Sequence, residues 1–273
     1  MSRHLLLVVD AGNTNVVFAL FDGPTLLNQW RTSTDIKRTA DEYGVWLTQL
    51  IALDGIKPND INAAILATVV PHTVFPLTHL CEKYFKCAPL IIDNGNSVGI
   101  NVEVTNPREV GADRLVNAVA AHAKFSGRLI VIDFGTATTF DVVDHEGAFV
   151  GGVIAPGVNL SVNALYAAAA KLPKISISKP KKAIGDNTIT AMQSGIYWGY
   201  VSMVEGMIKR ISAELVADGQ KPYVIATGGL SSLMAEGLGD YVDVVDEDLT
   251  LKGLKKIYEL QGDNVSSLEK KIS

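Results

Sequence analysis

The same short pattern occurs twice in this chain. "VVDAGNTNVVFALFDG" starts at residue 8 and "VIDFGTATTFDVVDHEG" at residue 131, and each predicts an apolar strand, an aspartate, a glycine-containing polar turn and a second strand. Such a repeat predicts two similar half-domains, each opening with a β-hairpin. We expect them at 1–122 and 123–262, followed by a polar, frayed tail at 263–273. A cleft between two such halves is the natural place for an active site.

The apolar runs along the chain predict an α/β fold. Most runs are too short for helices and are typical of strands; they lie at 5–9, 15–21, 63–69, 89–92, 128–133, 138–143, 149–154, 223–226 and 242–245. Helical periodicity occupies 39–53, 109–124 and 187–216, with Thr39 and Asp41 as candidate caps of the first helix. Strands that alternate with helices indicate mostly covered sheets.

The composition argues against several classes of function. A formal net charge of −5 gives no electrostatic footprint for nucleic acid or for an anionic membrane surface. No apolar stretch reaches the roughly 20 residues of a membrane span, and the first residues do not resemble a signal peptide. We therefore expect a cytoplasmic protein with no nucleic-acid or membrane partner, and two reduced structural thiols at Cys81 and Cys87.

The two hairpin turns carry residues suited to a cation and to phosphate. Asp10 and Asp133 each end a strand, where a carboxylate can hold a hydrated cation, and Gly12 and Gly135 let the backbone approach a ligand closely. The further donors around these points are Asn13, Thr14, Asn15, Thr136 and Thr138. Such a nest of N–H groups suits phosphate oxygens. Asp, Gly and Asn are equally what any hairpin turn favours.

A third turn extends the pattern. In "VIATGGL", residues 224–230, a strand ends in Thr227, Gly228 and Gly229 before a predicted helix at 231–236. The glycines permit close approach of a ligand at a helix N-terminus, or simply a tight connection. The P-loop motif, a Gly-x-Gly-x-x-Gly after a strand and the protein-kinase signatures do not occur in the chain.

Hairpin, hairpin and Gly-Gly in this order resemble the phosphate-1, phosphate-2 and adenosine elements of the acetate kinase, sugar kinase, Hsp70 and actin superfamily. The resemblance implies an α/β fold of the duplicated ribonuclease H-like (actin-like ATPase) type, with two half-domains around a nucleotide cleft. It assigns the Mg-nucleotide side of that cleft to the first turn.

"NPREVGADRLVNAVAAH", residues 106–122, carries a more specific resemblance. Together with "DAGNTNVVFALFDG", "IDFGTATTFDVV", "GGVIAPGVNLSVNAL", "AIGDNT" and "ATGGL", it resembles type III pantothenate kinases nearly end to end. The resemblance implies ATP-dependent phosphorylation of pantothenate to 4'-phosphopantothenate, the first step of coenzyme A biosynthesis. It also implies Mg²⁺ with ATP, a monovalent cation (K⁺ or NH₄⁺), and a homodimer whose substrate pocket is completed across the interface.

The same resemblance assigns roles to residues, with Asp113 as the general base that orients the acceptor hydroxyl and takes its proton. The implied substrate-binding residues are Gly111, Ala112, Asp113, Arg114 and Thr188. The implied ATP-binding residues are Asp10, Ala11, Gly12, Asn13, Thr14, Asn15, Thr136, Gly228 and Gly229. Arg114 could instead pair with Glu109 or Asp113, and Thr188 taken alone is typical of a helix cap.

The cation ligands and one substrate contact need separate mention. Asp133 could bind Mg²⁺ with the nucleotide or hold a monovalent cation; by resemblance we assign it to K⁺ or NH₄⁺, and Asp10 to the Mg-nucleotide. Many relatives carry a tyrosine that contacts pantothenate three residues before the equivalent of Asn106-Pro107. The aligned position here is Val104 or its neighbour, so this contact differs.

Two other functions are compatible with the superfamily. One is a non-catalytic nucleotide-binding regulator, and the other is a different small-molecule kinase or a polyphosphate phosphatase. Asp113 followed by Arg114 favours the kinase, because a nucleotide sensor has no need of this pair. The alanine-rich segment 155–175 predicts close helix packing against a second subunit.

Overall fold

A computed structural model describes residues 4–92, 98–169, 172–215 and 220–272, with side chains described as far as residue 262. The chain divides into two compact units. Unit 1 comprises Met1–Gly99, Asn106–Ala120 and Thr250–Ser273, and unit 2 comprises Ile100–Thr105 and Ala121–Leu249. The half-domain boundaries expected above stay a prediction. The predicted frayed tail at 263–273 lies outside the residues whose side chains are described.

Unit 1 contains a five-stranded sheet with strand order β3-β2-β1-β4-β5. Its strands are β1 (Leu5–Ala11), β2 (Asn15–Asp22), β3 (Thr25–Ser33), β4 (Ile61–Thr68) and β5 (Pro89–Ile92). β1, β2 and β3 form an antiparallel meander, whereas β4 and β5 run parallel to β1. The carboxyl ends of β1 and β4 therefore lie at the same edge of the sheet.

Unit 2 repeats this topology with strand order β10-β9-β6-β7-β8. Its strands are β6 (Leu129–Phe134), β7 (Ala137–Val143), β8 (Phe149–Pro156), β9 (Tyr223–Thr227) and β10 (Val244–Val245). β6, β7 and β8 form the antiparallel meander, and β9 and β10 run parallel to β6. The predicted duplication, in which each copy opens with a β-hairpin, is confirmed.

Seven α-helices accompany the two sheets in the part of the chain that the structure describes. They are α1 (Ala40–Leu53), α2 (Pro71–Leu80), α3 (Ala112–Lys124), α4 (Val158–Ala168), α5 (Thr188–Leu215), α6 (Ser231–Leu238) and α7 (Leu249–Ile272). None of them is long and apolar enough to cross a membrane. α3 begins three residues later than the predicted 109, because a 3-10 turn at Pro107–Glu109 precedes it.

Each unit has its own apolar core on the face that its helices cover. In unit 1, Tyr43, Leu47 and Ile51 project from one stripe of α1 onto the strands, at the helical spacing that the sequence predicts. In unit 2, the long helix α5 packs its buried stripe on β6 and β9, with α6 beside it. The stripe consists of Tyr197, Val201, Val204, Ile208 and Ile211.

The two cysteines are free thiols near the end of α2. Cys81 is buried in a π-helical turn, Cys81–Phe85, and burial raises the pKa of its thiol to about 12. Cys87 is half-buried in the segment before β5, rather than on the strand itself, and burial raises its pKa too. The protonated, buried thiol of Cys81 is unreactive, as expected for a structural cysteine.

Candidate active site

The first predicted ligand turn lies in unit 1, between β1 and β2. Asp10 is the next-to-last residue of β1, placed between Val17 of β2 and Ala67 of β4, and its side chain is half-buried. Gly12 N donates to Asn15 O at 2.9 Å, which closes a loop at 12–14. The tip of this loop is exposed. The carboxylate thus lies at the carboxyl end of the central strand of the sheet, directly before a short polar loop.

Thr34 holds this loop from behind. Its N–H donates to Thr14 O at 2.9 Å, and its hydroxyl donates to Gly12 O at 2.6 Å. Both peptide groups are trans, so the N–H of each following residue points away from the bonded carbonyl. The amides of Asn13 and Asn15 are therefore directed to the side opposite Thr34. Backbone N–H groups aligned in this way suit phosphate oxygens.

The second predicted turn lies in unit 2, between β6 and β7. Asp133 is the next-to-last residue of β6, placed between Thr139 of β7 and Thr227 of β9, and it is half-buried like Asp10. Gly135 N donates to Ala137 O at 3.0 Å. The loop consists of residues 135–136 and is one residue shorter than that of unit 1, so the two copies match in the first strand and shift by one after the turn.

Gly157 backs this second loop. β8 ends at Pro156, which pairs with Ala137, and a Cβ built on Gly157 would overlap the carbonyl oxygens of Gly135 and Thr136. These oxygens therefore face Gly157, and the N–H groups of Thr136 and Ala137 point to the opposite side. The exposed side of the loop again presents amide hydrogens.

Thr34 and Gly157 occupy equivalent positions in the two copies. Each is the first residue after the third strand of its meander, and each lies behind the loop that joins the first two strands. The copies differ in means, since the threonine makes two hydrogen bonds to its loop whereas the glycine touches its loop through main-chain atoms. Neither residue stands out in the sequence, because the contact depends on the register of the third strand.

Gly228 closes the site beside Asp133. It follows β9 at φ +90°, a conformation that side-chain-bearing residues rarely adopt. A Cβ there would also overlap Asp133 Oδ1 and the backbone of Phe134. Ser231, buried at the start of α6, fixes this turn. Its hydroxyl and its N–H both donate to Gly228 O, at 2.7 and 3.1 Å. Gly229, next along, is exposed.

The Gly-Ala-Asp-Arg sequence forms the beginning of α3 in unit 1. Asp113 and Arg114 are half-buried, and Asp113 Oδ1 accepts a hydrogen bond from Arg114 N at 2.8 Å. A Cβ on Gly111 would lie 2.6 Å from the same oxygen. The glycine therefore leaves the room in which this carboxylate folds back over the helix start. Glu109, the proposed alternative partner of Arg114, accepts a bond from Asn106 at 3.0 Å.

Thr188 is the first residue of α5 and is exposed. The cap of α5 is its neighbour: Asn187 Oδ1 accepts from Thr190 N at 3.1 Å, and Asn187 O accepts from Ala191 N at 2.9 Å. The interpretation of Thr188 as the helix cap is therefore wrong. Its hydroxyl is left on the surface of unit 2, where it can meet a ligand.

Other predicted site residues are less accessible. The side chains of Ala11 and Ala112 are buried, so only their main chain could reach a ligand. Thr138 is also fully buried, and its hydroxyl has no hydrogen-bond partner among the described residues. The expectation that Thr138 donates to a phosphate is therefore wrong, because its side chain lies in the core. Val104 is half-buried in the segment that joins β8 through a bridge at Val102.

The aspartates of the two turns offer oxygen ligands to cations. Carboxylate oxygens such as those of Asp10 and Asp133 are hard ligands that suit Mg²⁺ and alkali ions. Within the described part of the chain, no cluster of three or more His, Cys, Asp or Glu side chains could hold a metal. In proteins Mg²⁺ commonly keeps several waters and takes one or two carboxylates together with substrate phosphates.

Within unit 2, the structure brings Asp133, Gly135 and Gly228 together around one carboxylate, and Thr136 adjoins them. Within unit 1, the loop after β1 and the start of α3 are separate features of one compact body. Sequence reasoning missed Thr34, Gly157 and Ser231, which support the turns without belonging to them. Of these three residues, only Ser231 could have been suggested by the sequence, because it follows the strand-end glycine Gly228 by three residues.

Comparison with known proteins decides the family. The family model "Type III pantothenate kinase" matches residues 6–210. The chain belongs to the type III pantothenate kinase family. It is 56% identical over 255 residues to "Type III pantothenate kinase" of Paramagnetospirillum magneticum, covering 93% of this chain and 96% of that protein. It is likewise 56% identical over 257 residues to the Rhodospirillum centenum protein of the same name, covering 93% and 98%.

Solved structures agree on the fold. The ethanolamine utilization protein EutJ from Carboxydothermus hydrogenoformans superposes with a TM-score of 0.52, covering 92% of this chain and 88% of that one, at 15% identity. At that identity the likeness concerns the fold alone. With the repeated strand order of the two units, it identifies the duplicated ribonuclease H-like fold of actin-like ATPases.

Proposed function

We propose that this family member transfers the γ-phosphoryl group of ATP to the primary hydroxyl of pantothenate, which gives 4'-phosphopantothenate for coenzyme A synthesis. The observation that carries the proposal is family membership over most of the chain, with the Gly-Ala-Asp-Arg helix start intact. The reaction is an alcohol phosphorylation, and a kinase of this family uses ATP with a divalent metal ion.

Asp113 acts as the general base in this proposal. Phosphoryl transfer needs little covalent help from the protein, so the main tasks are to align the hydroxyl and to receive its proton as the new P–O bond forms. The carboxylate stands in the first turn of α3, and its Oδ1 is steered by Arg114 N and by the room over Gly111. Arg114 binds the substrate carboxylate or a phosphate through its planar fork.

The two loops hold the nucleotide phosphates. The amide hydrogens of Asn13 and Asn15 in unit 1, and of Thr136 and Ala137 in unit 2, are each directed away from the residue that backs the loop. Gly228 and Gly229 take the adenosine, since main chain without side chains allows a flat ring to approach. Thr188, exposed at the start of α5, contacts pantothenate.

The cations divide between the two aspartates. Asp10 faces the Mg²⁺ that accompanies ATP, and Asp133 holds K⁺ or NH₄⁺. The bound cations neutralise charge on the transferring phosphoryl group. The role of Asp133 is supported by the glycine at 228, because a Cβ there would overlap Asp133 Oδ1 and displace the carboxylate.

The proposal also includes a homodimer, in the cytoplasm. α4 is apolar on most of its surface, yet only Val158 and Val162 are buried. Its exposed residues include Leu160, Leu165 and Tyr166, and an exposed apolar patch of this kind is typical of an interface, so we assign this face to a second copy of the chain.

Substitution of Asp113 by asparagine tests the function. Product formation from pantothenate, Mg²⁺ and ATP is measured with K⁺ and with Na⁺ as the monovalent cation. We expect K⁺-dependent product from the native chain and a fall in kcat of about 100-fold or more in Asp113→Asn, the usual scale of general-base removal. The matched control is Asp240→Asn, an exposed carboxylate of unit 2, which should retain activity.

Two results would count against the proposal. Native protein that binds ATP but makes no product under any cation would favour a nucleotide-binding regulator. Full activity of Asp113→Asn would leave the kinase in place and exclude this residue as the base.

A further inference from the structure

Tyr200, in the middle of α5, places its hydroxyl at the end of β8. The hydroxyl donates to Pro156 O at 3.0 Å and to Gly157 O at 3.2 Å. It also makes a short hydrogen bond with Ser161 Oγ in the first turns of α4. A phenol has one proton, and two carbonyls compete for it, so Ser161 is the donor of the short bond. Three groups of the β8–α4 corner thus converge on one side-chain oxygen.

This corner is the part of unit 2 that backs the phosphate loop. Gly157 is buried, and its Cα lies against the carbonyl oxygens of Gly135 and Thr136, too close to admit a Cβ. The position of Gly157 therefore sets how the two peptide planes of the loop are tilted, and with them the direction of the N–H groups on the far side. A movement of the corner would be transmitted to those N–H groups.

The first copy of the fold shows what this position has to do. Thr34, at the equivalent place in unit 1, ties itself to its loop with two hydrogen bonds of its own. Gly157 has no side chain with which to do the same. In unit 2 the hydrogen bonds are made one step further from the loop: Tyr200, from outside the meander, bonds to the carbonyl oxygens of Pro156 and Gly157 and so fixes the residue that contacts the loop.

The geometry points to Tyr200 as a positioning residue for the nucleotide phosphates, acting through Gly157 on the loop at 135–136. This inference rests on the proposed phosphate-binding role of that loop. Tyr200 does not touch a reacting atom. Its hydroxyl fixes the corner that orients the amides of Thr136 and Ala137, so its loss should weaken nucleotide binding before it affects the acceptor.

The test is Tyr200→Phe, which removes the hydroxyl and keeps the ring in place. We expect the KM for ATP to rise about fivefold to tenfold, the scale of one or two neutral hydrogen bonds. The KM for pantothenate at saturating ATP should stay within about twofold. A merely structural role would change both constants or neither. Ser161→Ala leaves the phenol bonded to both carbonyls, so it should raise the KM for ATP by less than Tyr200→Phe does.

The matched control is Tyr241→Phe, which removes a phenol hydroxyl elsewhere in unit 2, beside Lys209. This substitution should leave the KM for ATP unchanged. The dissociation constant of a non-hydrolysable ATP analogue with Mg²⁺ is measured by calorimetry in parallel, since this readout needs no acceptor. If the native chain fails to phosphorylate pantothenate, the analogue still tests Tyr200. The inference would be overturned if Tyr200→Phe, with a native circular dichroism spectrum, kept both the native KM for ATP and the native dissociation constant of the analogue.

Discussion

Gly228 is the residue whose identity the site constrains most tightly. Its φ of +90° excludes most side chains, and the space that a Cβ would occupy is filled by Asp133 Oδ1 and by the backbone of Phe134. A side chain there would both strain the turn and push the carboxylate away from its position. The first penalty concerns stability, and the second concerns the proposed cation site.

Replacement of Gly228 by alanine should therefore cost more than strain alone. We expect a lower free energy of unfolding and a weaker response of activity to K⁺, because the displaced carboxylate no longer binds the cation. The control is Gly127→Ala, at φ +84° with open space around the new Cβ. Backbone strain there costs on the order of 1–3 kcal/mol, with no change in the K⁺ concentration that gives half-maximal activity. An unaltered K⁺ response in Gly228→Ala would contradict the assignment of Asp133.

At the scale of single elements, α1 shows how a sequence signal becomes a structural device. Thr39 and Glu42 form a capping box: the carboxylate accepts from Thr39 N at 2.7 Å and from the Thr39 hydroxyl at 2.9 Å, and Glu42 N donates back to that hydroxyl at 3.3 Å. The backbone N–H of Thr39, followed by its hydroxyl, holds the pKa of Glu42 below its ordinary value of 4.5.

The capping box should make the stability of the fold depend on pH. A carboxyl whose pKa is lowered by folding stabilises fully above its unfolded value of 4.5, and this stabilisation is lost as the pH falls through the lower folded pKa. Glu42→Gln should be less stable than the native chain at neutral pH, and the difference should shrink in acid. Urea unfolding between pH 3 and 7 measures it. Thr39→Ser, which keeps both hydroxyl contacts, should follow the native pH profile; a pH-independent deficit in Glu42→Gln would contradict the account.

The elements were predictable where one residue pattern determines them. The capped helix α1, the long helix α5 and the two hairpin turns follow from helical spacing, capping residues and glycine placement. β3 was missed, because Thr25–Ser33 alternates exposed and half-buried residues along a sheet edge and has no apolar run. Missing β3 meant missing Thr34, whose contact with the first loop depends on the register of that edge strand. The cap of α5 was misplaced by one residue, since Asn187 and Thr188 are both good caps and only the backbone distinguishes them.

At the scale of the whole molecule, duplication gives two loops built on one plan but supported differently. The loop of unit 1 is held by Thr34 and remains within its own meander, whereas that of unit 2 is backed by Gly157, which α5 holds in place. Because α5 also begins with Thr188, one helix carries both the support of the proposed phosphate loop and the proposed acceptor contact. The same helix would thus help to position both ATP and pantothenate for the reaction.

The oligomeric state belongs to this scale as well. Of the eleven large hydrophobic residues that are exposed in the described chain, six lie between 154 and 189 in unit 2. They are Ile154, Leu160, Leu165, Tyr166, Ile184 and Ile189. Exposed apolar residues concentrated in one stretch of the chain that includes the barely buried helix α4 are typical of an interface between subunits, and they agree with the proposed homodimer.

Replacement of Leu165 by glutamate should dissociate the dimer. A two-fold interface carries the substitution twice, and a buried unpaired carboxylate in each copy should raise the dissociation constant about 100-fold or more, equivalent to about 1.4 kcal/mol per copy. Light scattering across a dilution series measures the oligomeric state, and kcat/KM for pantothenate should fall as the dimer dissociates if the pocket is completed by the second subunit.

Leu53→Glu is the matched control, because Leu53 is 83% exposed at the end of α1, away from α4 in the sequence and in a different unit. A native chain that is monomeric and fully active at micromolar concentration would exclude the interface, whereas a Leu165→Glu monomer with native kcat/KM would keep the dimer and show that each subunit holds a complete site.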